Sequence, residues 1–166
     1  MYKCSKCVLA GCSSGNLEES LPVCPCKDKK TQEIVKSMYL EKNNLKIAHT
    51  AALVEAEGYG KKTRIEEILL FVKKMEYKKI GLVFCMGLQS EAKVVQKIFE
   101  YHGLEVVSVG CKNGAIPKSH IGITEEQKVQ FCEDEIMCNP IGQAEFMNQE
   151  NTEFNIIIGL CVGHDT

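Results

Sequence analysis

The stretch from Lys78 to Val95 constrains the fold more than any other part of the 166-residue chain. Ile80 to Phe84 is a short, unbroken apolar run, the pattern of a parallel strand covered on both faces. From Leu88 the period changes: Leu88, Ala92, Val95 and Phe99 stand at helical spacing, and Gly103 closes the run. Cys85 occupies the turn between them, at the carboxyl end of the strand and beside a helix N-terminus, where α/β proteins place ligands.

The flanking sequence extends the pattern. Thr31 to Glu57 reads as helix in two pieces, with Asn43-Asn44 as the interruption, and Gly58-Tyr-Gly60 as the stop. Thr63-Arg-Ile-Glu66 is a capping box opening a helix whose Ile65, Ile68, Leu69, Val72 and Met75 face inward. Leu104 to Val109 is a second strand, ending at Gly110-Cys111. A loop follows, and Thr124-Glu-Glu-Gln127 is a further capping box, opening a short helix with Cys132 near its end. Cys138-Asn139-Pro140 reads as an Asn cap with Pro at the first helical position, the helix running to about Asn148. Phe154 to Leu160 is the third strand, ending at Cys161-Val-Gly-His164-Asp165. The expected fold is therefore α/β: a small doubly wound, mostly parallel sheet with flanking helices. Two segments are expected: a Cys-rich piece at 1–30, and a helical lead-in plus α/β domain at 31–166. Three strands make a thin sheet, so the domain is expected to continue beyond Thr166 as a truncated piece of a longer one.

Composition narrows the function classes. No apolar run approaches the roughly 20 residues of a membrane span. Met1-Tyr-Lys-Cys4 opens straight into cysteines without the apolar segment of a signal peptide, which points to the cytoplasm and away from a membrane. Arg64 is the only arginine, so the bidentate readout of phosphate or guanine has little to work with and a nucleic-acid partner is not expected. Charge is uneven: residues 1–79 carry 15 basic and 10 acidic side chains, residues 80–166 carry 5 and 12. Two solvated faces of one domain account for it.

Ten cysteines are the outlier, and in a cytosolic chain they suggest metal ligands or redox-active thiols. Cys4, Cys7, Cys12 and Cys24 put four soft ligands on a flexible loop, and the two-residue spacing of the first pair lets both thiolates reach one metal ion. The segment has too little apolar material to fold unaided. Cys26 is the spare, although it could replace Cys24. Zinc and an iron–sulfur cluster both fit this spacing; Cys24 followed by Pro25 is similar to bacterial ferredoxin ligands.

Cys85, Cys111, Cys138 and Cys161 form a second constellation, each following a strand or preceding a helix cap. Handed winding sends strand ends to one rim, so these thiols are candidates to bind a cofactor there, with Cys85 and Cys161 also candidate catalytic thiols. A helix N-terminus favours the thiolate that binds metal or attacks. Cysteine is also a small apolar filler, which explains the same positions without chemistry. His164 and Asp165 are candidates for proton handling, or a polar turn. His49 reads as a packed or surface histidine and His102 as a helix C-terminal cation.

These residues carry a resemblance. The N-terminal cysteines with Cys24-Pro25, Thr63 to Glu67, Gly81 to Leu88, Gly110-Cys111-Lys112, Met137 to Ala144 and Gly159 to Asp165 resemble an uncharacterised prokaryotic family. Its members are labelled as a domain of unknown function or as cysteine-rich metal-binding proteins. The resemblance covers nearly the whole chain. It implies metal binding at cysteines, adds weight to the strand-end thiols, and makes Cys26 and Cys132 incidental; it supplies no substrate. The expectation is a cytoplasmic metal-binding protein, iron–sulfur or zinc, with a second cysteine site for redox or sulfur chemistry and a redox or sulfur-transfer partner. The alternative is a non-enzymatic, zinc-stabilised interaction or metal-sensing module.

Overall fold

The computed structural model describes residues 1–129, 135–159 and 161. Contacts divide the chain into two compact units, Met1–Leu53 and Val54–Thr166.

In the first unit the cysteine-rich segment forms 3-10 turns at Cys4–Lys6, Leu17–Glu19 and Pro25–Lys27, and one short helix, α1 (Gly11–Ser14). Gly11 has no side chain because a Cβ there would run into the Asn16 carbonyl. Helix α2 (Lys29–Tyr39) starts at Asp28, whose carboxylate accepts the Thr31 N–H at 3.1 Å. The break before α3 (Lys42–Gly58) falls at Leu40–Glu41, not at Asn43-Asn44. The reason is visible. The Asn44 amide donates to the Met38 carbonyl at 3.0 Å and to the Glu41 carboxylate at 3.2 Å, so this asparagine satisfies the end of α2 from inside the first turn of α3.

The second unit holds the sheet. Its lead-in helix α4 (Arg64–Met75) carries the expected capping box: Glu66 accepts the Thr63 N–H at 2.7 Å, and the Thr63 hydroxyl accepts the Glu66 N–H at 3.4 Å. Strand β1 (Lys79–Phe84) is central and pairs in parallel with β2 (Glu105–Gly110) and β3 (Phe154–Ile158), giving the order β2-β1-β3. Glu153 locks the entry edge. Its carboxylate accepts the Lys78 and Lys79 N–H groups at 2.6 and 2.9 Å, and those two bonds hold it below the usual carboxylate range.

Side chains alternate across β1. Ile80 and Leu82 are fully buried with Val72 of α4, Ile156 of β3, and Ala92 and Phe99 of α5 (Gln89–Tyr101). Gly81 points to the opposite face, where a Cβ would collide with Met147 of α6 (Pro140–Gln149) and with Asn155. Helices thus cover both faces of a three-stranded, all-parallel sheet, and the chain is α/β. Strand β3 ends sooner than its apolar run suggests: Gly159 takes a φ of +74°, which turns the chain away after Ile158. The second capping box, Thr124 with Gln127, opens only a three-residue turn, Glu125–Gln127; Cys132 lies outside the described residues. Among the described residues no helix is long and apolar enough to cross a membrane.

Candidate functional site

The carboxyl edge of the sheet is built by backbone bonds that continue past the strands. The Cys85 N–H donates to the Ile158 carbonyl at 3.0 Å, and the Cys111 N–H to the Phe84 carbonyl at 2.9 Å. Cys85 and Cys111 therefore leave β1 and β2 side by side, with the end of β3 next to Cys85. A Cβ on Gly159 would meet Leu88 and the Cys85 β-carbon, so this glycine is what lets the two strand ends approach.

Cys138 reaches the same edge through a polar clamp. Its neighbour Asn139 caps α6 by accepting the Gly142 N–H at 2.9 Å. The Asn139 side-chain amide donates to the Asn113 side-chain carbonyl at 2.9 Å, and the Asn113 amide returns a bond to the Asn139 backbone carbonyl at 3.1 Å. The Asn139 N–H donates to the Cys111 carbonyl at 2.7 Å. Gly142 fits only because a Cβ would strike both asparagines. One turn on, the buried Gln143 amide donates to the Val109 and Phe84 carbonyls at 2.9 and 3.3 Å, fixing α6 to the carboxyl ends of two strands.

These supports bring three sulfurs together. Cys138 Sγ is 3.9 Å from Cys161 Sγ, and the Cys138 thiol also interacts with that of Cys111. Burial first, and then the neighbouring Cys111, pushes the Cys138 thiol up to about 11, against the pull of the Lys112 ammonium. Cys111 is 1% exposed and its sulfur accepts the Met86 N–H at 3.4 Å. Cys85 is tied to this edge by its backbone, and its sulfur packs against Gly87. His164 and Asp165 lie outside the described residues. His102 sits at the end of α5 with Nδ1 2.8 Å from the Ile98 carbonyl, and His49 is exposed within α3.

In the first unit Cys4, Cys7, Cys12 and Cys24 line one cavity of about 170 Å³, together with Leu21 and Val23. The Cys26 N–H donates to the Cys24 sulfur and holds that thiol below its ordinary range. The Cys26 thiol is raised by its own bond to Cys24, by burial, and by the nearby Cys24, Cys12 and Cys4. Cys26 thus belongs to the sulfur neighbourhood, although the spacing made it the spare. None of the nine described cysteines is in a disulfide. Among the described residues no group of three or more His, Cys, Asp or Glu side chains is placed to hold a metal ion.

Sequence reasoning missed Asn113 and Lys112. Asn113 lies in a loop, and its three bonds with Asn139 span 26 positions, which no local pattern reports. Lys112 donates to the Ile136 carbonyl beside the thiols.

Fold and site together define a parallel α/β protein with thiols gathered at the sheet's carboxyl edge and a second set in an N-terminal head. The chain belongs to the family described as Protein of unknown function (DUF1847), whose model matches residues 24–166. It is 48% identical over 163 residues to the Uncharacterized protein MJ0455 of Methanocaldococcus jannaschii, covering 98% of this chain and 78% of that one. No solved structure matches.

Proposed function

We propose that this chain is a cytoplasmic thiolate protein with two sulfur centres. Cys4, Cys7, Cys12 and Cys24 hold zinc or an iron–sulfur cluster; Cys85, Cys111, Cys138 and Cys161 supply a thiol centre for redox or sulfur chemistry. The observation that carries the reading is the meeting of Cys111, Cys138 and Cys161, brought from three separate segments to one edge of the sheet. Ligands in open α/β sheets bind at that edge. The head fits a soft metal by donor chemistry, with four thiols on one cavity and an N–H bond already favouring thiolate at Cys24. A bound metal would supply the cross-link that this segment needs in place of a core. The partner implied is a redox or sulfur-transfer protein.

A second reading, a zinc-stabilised interaction or metal-sensing module, draws on the near-complete burial of Cys111, which suits packing as well as chemistry. Anaerobic purification followed by iron, zinc and acid-labile sulfide analysis tests the proposal. One metal centre per chain is expected. Iron with sulfide and visible absorption selects the cluster, a colourless chain with one zinc favours the module, and a chain holding neither metal overturns both.

A further inference from the structure

The edge thiols support a more specific step, which rests on reading that edge as a thiol centre. Cys138 Sγ and Cys161 Sγ are 3.9 Å apart, within about 2 Å of the roughly 2.05 Å of a disulfide bond. Both residues are partly exposed, whereas Cys111 is buried behind Cys138 with its sulfur engaged by Met86 N–H. An incoming molecule therefore meets Cys138 and Cys161 before any other thiol of the trio.

We propose that Cys138 and Cys161 are a reversible dithiol–disulfide couple that reduces low-molecular-weight disulfides, with Cys161 attacking and Cys138 resolving. The Cys161 thiolate attacks one sulfur of the substrate, the substrate S–S bond breaks, and the first product leaves as a thiolate that takes up a proton. Cys161 then carries a mixed disulfide. Cys138 attacks the Cys161 sulfur, and the second product leaves with the Cys138 proton. Two electrons pass from the two cysteines to the substrate, giving two product thiols and one Cys138–Cys161 disulfide. A dithiol reductant restores the pair by the reverse exchange. Burial and the neighbouring Cys111 keep Cys138 in its thiol form, which disfavours it as the first attacking group; its proton passes to the departing thiolate as it attacks in the second step.

The test uses the reduced full-length chain and oxidised glutathione, with acid quenching, alkylation and peptide mapping. The wild type is expected to release two thiols per Cys138–Cys161 disulfide formed. Cys138→Ser should accumulate glutathione on Cys161, and Cys161→Ser should react at least tenfold more slowly at Cys138. Retention of both edge thiols in the wild type overturns the couple, and equal labelling of Cys138 in Cys161→Ser overturns the assigned order. Should either variant fail to fold, the wild-type map decides alone. Metal analysis of the same samples separates the two readings: a Cys138–Cys161 disulfide in a metal-free chain upholds the couple and refutes the metal-holding head. Reduced edge thiols in a metal-loaded chain do the reverse.

Discussion

Serine at both Cys4 and Cys7 will give a chain that retains no metal in its head and that trypsin cuts within residues 1–28 well before it cuts elsewhere. The head has almost nothing else to hold it. Gly11 and Ser20 are its only buried residues up to Asp28. Its ties are polar: Tyr2 to Asp28 at 3.2 Å, Lys27 to the Ser20 carbonyl at 2.7 Å, and Gln32 to the Pro25 carbonyl at 3.3 Å. Each such bond contributes about 1 kcal/mol net, against roughly 10–16 kcal/mol for a structural zinc in a small peptide. Losing two thiols should therefore remove most of the local stability. Lys3, Lys6 and Lys27 offer the cleavage sites. Limited proteolysis with mass mapping reads the result, and a digestion pattern and metal content matching the wild type would refute the head as a metal site.

Phe99→Ala will destabilise the sheet unit by about 3–5 kcal/mol, a large share of the roughly 5–15 kcal/mol that a domain has. Phe99 is fully buried in one cluster with Val72, Ile80, Leu82, Ala92 and Ile156, side chains from two helices and two strands. Truncation leaves a cavity in the cluster where α5 covers β1. Urea unfolding should show a lower midpoint at unchanged slope. A loss under about 1 kcal/mol would mean that the cluster is not the core of this unit.

The sequence carried the fold where its signals were local. Ile80 to Phe84 and the Leu88 to Phe99 spacing announced β1 and α5, and Thr63 with Glu66 and Asn139 with Pro140 announced two helix starts within a residue. Asn43-Asn44 misled because asparagine breaks helices when its amide competes with the backbone, and here the Asn44 amide instead completes the preceding helix. The site was legible only in outline. Strand ends could be placed on one rim by winding alone, but sulfur-to-sulfur proximity depends on the Asn113–Asn139 clamp and on Gly159, which act through space. Cys26 read as the spare because spacing shows which thiols can reach an ion; it does not show which backbone N–H groups will point at them.

The two sets of cysteines differ in their surroundings. The edge thiols are fixed by a buried amide, two asparagines and three parallel strands, which suits repeated bond exchange at one position. The head thiols sit on short turns with little packing, which suits ligands that are organised by what they bind.

X-ray absorption at the edge of whichever metal accompanies the anaerobically purified chain tests the account most directly. The account predicts a first shell of sulfur alone, at about 2.3 Å for zinc. A shell of nitrogen or oxygen at about 2.0–2.2 Å would contradict it, since it would place the metal on ligands other than Cys4, Cys7, Cys12 and Cys24.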